Sequence, residues 1–369
     1  MSAHRITVRA AFDVTLRTPA ALVAGACAAA VALPALGQSM GPDFAASYTI
    51  VDVGSVPGVP ANYGGLLFAP GDTSVLFIGG QANTLSAQIY AVVVSRGPDG
   101  GITGFNCGTG VPFAAAPGVG GGIDGGLDVG PGSVLFYATY PDNRLGQIPS
   151  NATAPSKLID LGTLGVATST GALRFVPANF PGAGRLKIVS YSSSLWYDAT
   201  VSADGNGTWD VSVSPGSLAV GGGPEGIAYV KGGNPGFAND SVLVAQYNTG
   251  SVVAFEIDAN GDPVLATART FVSGLSGAEG AAIDPVTGDF VFSTYGGGNR
   301  VLRVTGFTTV STCPGDIDLS GGVNGADLGI LLAEWGAVGG SPADLNGDCV
   351  VDGSDLGVLL GNWGPCLNP

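Results

Sequence analysis

Histidine is all but missing from this chain. Its 369 residues contain one, His4, and that one falls in a stretch patterned for removal. His4, Arg5, Arg9 and Arg17 form a basic start, Ala20 to Leu33 an apolar middle, and Ala35-Leu36-Gly37 a small-x-small cleavage site before Gln38. Residues 1–37 therefore read as a signal peptide. A processed chain without histidine cannot build Ser-His-Asp or Cys-His catalysis, nor a His-ligated zinc or iron. Basic residues are few as well: 13 Lys+Arg against 28 Asp+Glu, a formal charge of −15. Losing three Arg and Asp13 makes the balance 10 − 27 = −17. That excludes the electropositive footprint of a nucleic-acid or anionic-membrane binder. Past the leader no apolar run reaches the ~18 residues of a membrane span. The sequence predicts a secreted protein, extracellular or on the cell surface, with no second anchor of its own.

Glycine, by contrast, is abundant: 63 residues, beside 24 Pro and 45% hydrophobic residues. Such a mixture predicts many short strands joined by tight turns. A repeat runs through residues 38–310. Its first strand appears as Gly65-Leu-Leu-Phe-Ala-Pro70, Gly126-Leu-Asp-Val-Gly-Pro131, Ala172-Leu-Arg-Phe-Val-Pro177, Gly226-Ile-Ala-Tyr-Val230 and Gly280-Ala-Ala-Ile-Asp-Pro285, at spacings of 61, 46, 54 and 54. A second apolar strand follows each copy, then a third, then a fourth such as Thr267–Val272. Four short strands per repeat of about 50 residues predict the radial blades of a mainly β fold, a β-propeller. Five blades are counted, and a sixth has room in the irregular Pro141–Gly171 region. After Val304 the last copy lacks a fourth strand, whereas Tyr48–Val53 is a spare at the other end. Joining the two closes the ring. The architectural alternative is a β-sandwich or two stacked sheets.

Residues 311–369 are different. One pattern occurs twice, 28 residues apart, with oxygen-bearing side chains at positions 1, 3, 5, 9 and 12. The first copy offers Asp316, Asp318, Ser320, Asn324 and Asp327, with the carbonyl of Gly322 at position 7. The second offers Asp344, Asn346, Asp348, Asp352 and Asp355, with the carbonyl of Val350. This is EF-hand loop spacing, which rings a hard cation with oxygens, so two Ca2+ ions are predicted. Position 8 is Val323 or Val351, apolar as paired loops need. A helix follows each loop, with Leu328, Leu331, Leu332 and Trp335 on one face and Leu356, Leu359, Leu360 and Trp363 on the other.

No incoming helix precedes either loop, and position 12 is Asp rather than Glu. Loop-then-helix in duplicate resembles a type I dockerin. That resemblance covers about the last 55 residues and implies a small all-α calcium module that docks onto a cohesin-like domain of another surface protein. It implies partner contacts at loop positions 10 and 11, here Gly325-Ala326 and Gly353-Ser354, not the Ser-Thr pair of cellulosomal examples. Cys349 stands at position 6, where Gly is wanted. The pseudo-two-fold of the tandem unit brings the end of the second helix near the start of the first loop, so Cys313 and Cys366 are expected to pair. Cys107 and Cys349 are left as thiols or as an interdomain bridge.

The stretches "GPEGIAYV" and "GAEGAAIDPVTGDFVFSTYGGGNRVLRV" resemble blades of NHL and SMP-30/gluconolactonase-type propellers, most closely in the last two blades. In those lactonases a Glu, an Asn and an Asp near the axis bind a divalent metal. Glu225 and Glu279 occupy one position in consecutive repeats, Asp124 lies one residue earlier in its own, and Asn248 and Asn299 follow second strands.

Two function classes fit. One is a propeller that binds a ligand or partner, a glycan among them, without chemistry, retained at the surface by its calcium module. The other is a glycoside- or lactone-active hydrolase delivered by that module, with Glu225 and Glu279 as an acid/base pair or metal ligands. The sequence leans to the first. It expects both glutamates to accept N–H bonds from a neighbouring blade. Carboxylates about 5–9 Å apart in an open channel would favour the enzyme.

Overall fold

The structure, a computed structural model, describes residues 6–8, 12–14, 37–97, 100–105, 108–307, 315–318, 320–338 and 341–366. Most of the predicted leader lies outside them. Two short strands within it, Ile6–Val8 and Phe12–Val14, pair antiparallel.

Five four-stranded antiparallel blades form the body. Blade 1 is Leu66–Phe68, Val75–Gly80, Gln88–Val93 and Val111–Ala115. Blade 2 is Gly122–Gly130, Val134–Tyr140, Arg144–Ile148 and Lys157–Asp160. Blade 3 is Thr170–Phe175, Leu186–Ser190, Leu195–Ala203 and Trp209–Val213. Blade 4 is Pro224–Val230, Ser241–Gln246, Ser251–Glu256 and Arg269–Ser273, with Ser39–Met40 added outside. Blade 5 is Ala278–Ile283, Phe290–Thr294 and Val301–Thr305, and its fourth strand is Thr49–Gly54. The chain start thus completes the last blade as predicted, with Leu302 opposite Asp52 and Val304 opposite Ile50. Closure removes the sheet edge that an open ring would expose.

There are five blades, not six. The Pro141–Gly171 region holds the third and fourth strands of blade 2 and a 3-10 turn at Leu161–Leu164. The longest repeat, 61 residues, has its extra length in a hairpin, Ser95–Arg96 with Ile102–Gly104.

Apolar residues alternate onto both faces of each blade and fill the spaces between blades. Between blades 4 and 5 the segment before the closing strand supplies Phe44 and Tyr48. Phe44 lies 5.0 Å from both Phe237 and Phe271, and Tyr48 lies 4.7 Å from Phe307, centroid to centroid. Ring packing of this kind adds roughly 0.5–1.5 kcal/mol per pair beyond area burial.

At the axis the inner strands meet backbone to backbone. A Cβ added to Gly126 would stand 2.6 Å from Leu173 N, one on Gly226 2.2 Å from Glu279 O, and one on Gly280 2.5 Å from Gly65 Cα. The repeat therefore starts with glycine or alanine because five strands converge there with no space for a larger side chain. Below this layer Arg174 crosses the axis. Its Nε donates to the Ile227 carbonyl at 2.9 Å, one Nη to that of Ala281, and the other meets Asp128 at 3.2 Å. One guanidinium thus ties blade 3 to blades 2, 4 and 5.

The C-terminal unit has helices α1, Gly325–Ala333, and α2, Gly353–Gly361. Each opens on a capping box, Asn324 with Asp327 and Asp352 with Asp355. The core is small: Val323, Leu331, Ala343, Val351 and Leu359. One sequence expectation needs correction. Val323 and Val351 are buried, but the loops do not pair with each other. Val323 pairs with Gly364 after α2, and Val351 donates to the Ala337 carbonyl after α1. Nor is the whole apolar helix face buried, because two nine-residue helices are too short to cover it. Leu332, Trp335, Leu360 and Trp363 are 49–54% exposed.

Candidate functional site

Asp124, Glu225 and Glu279 begin or precede the tight glycine layer on the inner strands of blades 2, 4 and 5. Their chain positions differ by up to 155 residues (279 − 124), yet the ring sets all three side chains on the axis. One carboxylate oxygen of each lies within 4.8 Å of the other two. The residues are 1%, 3% and 1% exposed. Glycines make the room: a Cβ on Gly171 would stand 2.8 Å from Glu225 Oε2, and one on Gly125 1.9 Å from the Glu225 carbonyl.

These acids are under-paired. Glu225 and Asp124 take backbone bonds from Gly125, Asn83 reaches Asp124, and Asp124 lies within hydrogen-bond reach of both glutamates, so that protons can be shared within the trio. Asp124 Oδ2, Glu225 Oε2 and Glu279 Oε1 have no hydrogen-bond partner. Of the two expected blade-to-blade acceptors, Glu225 takes an N–H from Gly125 of blade 2, while one oxygen of each glutamate, Glu225 Oε2 and Glu279 Oε1, has no partner. Burial drives all three carboxyls up. Asp124 is pushed to about 7. Glu225 and Glu279 are raised well above their usual range by burial and then by repulsion within the trio.

Over this floor stands a wall of four tyrosines, one from each of blades 2 to 5: Tyr140, Tyr191, Tyr247 and Tyr295. They follow each other edge to face around the mouth, with centroids 5.9, 6.0 and 6.3 Å apart at 88°, 82° and 64°. Blade 1 contributes Asn83 instead of a ring. The Tyr191 hydroxyl is fixed by Asn248 Oδ1 at 2.9 Å, and Tyr295 bonds to Asn83. The cup encloses about 180 Å3, and its lining includes no Lys or Arg. Asn299, a sequence candidate, is structural: its side chain accepts the Asn62 N–H at 2.6 Å.

The tyrosines were missed in the sequence. Their signal is nonetheless there, since an aromatic closes the second strand in "ATYPDN", "VSYSSS", "AQYNTG" and "STYGGG".

Both C-terminal loops fold alike. Asp316 accepts from Ser320 N at 2.9 Å and Gly321 N at 2.8 Å, as Asp344 does from Asp348 N at 3.1 Å and Cys349 N at 2.8 Å. Asp327 Oδ1 takes the N–H groups of Ile317 and Asp318, and Asp355 Oδ1 those of Leu345 and Asn346. In loop one, oxygens of Asp316, Asp318 and Asp327 come within 4.8 Å of one another. The donor set is all oxygen and mostly carboxylate, which suits Ca2+. Asp344 is pushed up to about 6 by burial, with Asp355 and Asp348 adding repulsion. Gly325 and Ala326 open α1, and Gly353 and Ser354 open α2. Cys349 takes the left-handed conformation, φ 74, at the position that asks for Gly. Cys349 and Cys366 are both disulfide-bonded, so Cys349 is not a free thiol. The expected partner Cys313, and Cys107, lie outside the described residues.

Fold and site together define a five-bladed β-propeller with a blind, acid-floored cup on its axis. Solved structures resemble it at a distance. A putative glucose dehydrogenase-type oxidoreductase of Thermus thermophilus is 15% identical, over 70% of this chain and all of its own, with a TM-score of 0.40. An auxiliary nutrient-binding protein of Bacteroides ovatus is 13% identical over 70% of this chain and 76% of its own, at 0.37. A putative gluconolactonase is 10% identical over 74% and 98%, at 0.36. Neither a family model nor a curated protein sequence matches the chain.

Proposed function

We propose that this is an exported binding protein whose propeller receives a small positively charged ligand in the axial cup. Its C-terminal dockerin-like module, loaded with two Ca2+, holds it to a cohesin-type partner at the cell surface. The observation that carries the first part is the trio Asp124, Glu225 and Glu279, buried with unpaired oxygens beneath tyrosine walls. Buried carboxylates without partners are costly unless a cation or protons neutralise them. A mouth lined without Lys or Arg offers an anion no positive charge, and a neutral glycan would leave the floor uncompensated.

The hydrolase alternative needs two carboxyls with environments that separate their pKa values, one acid and one base. Here burial raises all three, and none stays in the ordinary carboxylate range. One oxygen from each lies within 4.8 Å of the other two, a cluster of acceptors that a single cation can bridge.

The module reading rests on the repeated loop network and the oxygen donor set. Its test is capture from the producing cell's surface extract by the full chain, with and without EGTA, against a chain lacking residues 311–369. Equal capture by both chains, or capture that ignores EGTA, sinks the anchoring part. Calorimetric titration of the propeller with cations tests the rest.

A further inference from the structure

We propose that the ligand class of the cup is a primary alkylammonium. This rests on the reading of the cup as a cation receptor and narrows it. The floor presents three acceptors and the walls present aromatic rings, and one chemical group uses both. An ammonium nitrogen carries three N–H donors arranged tetrahedrally. Charge-assisted N–H···O bonds of about 2.8 Å around it place three oxygens about 4.6 Å apart. One oxygen each of Asp124, Glu225 and Glu279 falls inside that span, all within 4.8 Å of one another, each residue has an oxygen without a hydrogen-bond partner, and an ammonium would replace the protons that Asp124 can share with the two glutamates. Above them, Tyr140, Tyr191, Tyr247 and Tyr295 supply ring surface for cation–π attraction and for the alkyl stem. A bare metal ion would use the floor and leave those rings facing water. A quaternary ammonium would use the rings and leave the floor unbonded. The cavity, about 180 Å3, has space for a short chain beyond the nitrogen.

The test is calorimetry on the full chain with n-butylammonium, tetramethylammonium, n-butanol and MnCl2, each with 1 mM CaCl2 and again in EGTA. n-Butylammonium is expected to bind one per chain in both buffers. Its affinity should fall at least tenfold in Glu279→Gln and in Tyr247→Ala. Butanol should not bind, and tetramethylammonium should bind at least tenfold more weakly than butylammonium. Should Tyr247→Ala fail to fold, Glu225→Gln replaces it, judged by the same tenfold loss. Butylammonium binding that is lost in CaCl2 or displaced by MnCl2 would make the floor a divalent-metal site, overturning the alkylammonium while leaving the cation receptor. If neither the amine nor Mn2+ binds at the cup, the receptor reading itself falls.

Discussion

Asp52 grips Arg300 across 248 residues of chain: the guanidinium Nε lies 2.9 and 3.1 Å from the two carboxylate oxygens. The pair sits on the seam where the first strand of the body completes the last blade. The guanidinium is partly exposed, so Arg300→Ala should cost less than about 1 kcal/mol. Deleting residues 38–54 should do far more, because it bares a strand edge on blade 5 and strips Phe44 and Tyr48 from the ring cluster. The deleted chain should self-associate in analytical ultracentrifugation, while Arg300→Ala stays monomeric.

Lys187 has no exposed surface and reaches Asp198 and Asp262 at 2.6 Å each, joining blades 3 and 4. Trp196 Nε1 also donates to Asp262, at 2.8 Å. Removing the cation leaves Asp262, largely out of water, with the Trp196 N–H but no cation, and leaves Asp198 with the Arg185 guanidinium. Lys187→Ala should cost about 3–5 kcal/mol in guanidinium unfolding. Lys157→Ala, at a more open clasp with Asp204 and Asp210, should cost under about 1 kcal/mol.

The cup acids give a pH dependence of known sign. Burial raises Asp124 from 3.8 to about 7. Between those values the folded protein keeps a proton that the unfolded chain has released. The contribution is complete below pH 3.8 and lost as the pH rises through about 7. In EDTA and amine-free buffer, the wild type should therefore lose stability relative to Asp124→Asn/Glu225→Gln/Glu279→Gln as pH goes from about 4 to about 8. The difference should be on the order of 1 kcal/mol or more. At the upper end of that range the variant should be the more stable protein, measured by urea titration at each pH.

For the calcium loops, the acids of the C-terminal unit repel one another and face no Lys or Arg between residues 313 and 369. Loop two has four carboxylates to the three of loop one. Affinity rises with ligand charge, so loop two should fill first despite the left-handed Cys349. Calorimetry with Asp344→Ala should remove the tighter of two events, and Asp316→Ala the weaker. Circular dichroism of residues 313–369 under reducing conditions should show helix only with Ca2+.

Blade number, strand order and ring closure were legible because glycine at the convergence of the inner strands repeats in sequence. The spare strand at Tyr48–Val53 was legible for the same reason, since one repeat was a strand short. The shared fold of the two C-terminal loops was legible because their oxygens are close in sequence. The cup was not. Glu225 and Glu279 could be singled out by repeat position, but whether they met neighbouring backbone or each other depended on glycines at 64, 125 and 171 in other blades. Those glycines let the acids crowd the axis. The exposure of Trp335 and Trp363 was not legible, because helical periodicity marks an apolar face without saying how much of it a short partner helix can cover.

The meeting of inner strands around Gly65, Gly126, Gly226 and Gly280 has a kinetic consequence. A channel open at both ends exchanges its contents by flow, and a dead-end vessel cannot. Whatever reaches Asp124, Glu225 and Glu279 must back out past the four tyrosines by which it came in, and a second molecule cannot push the first through. Arrival and departure then share one mouth, and an occupant blocks the next arrival until it has left.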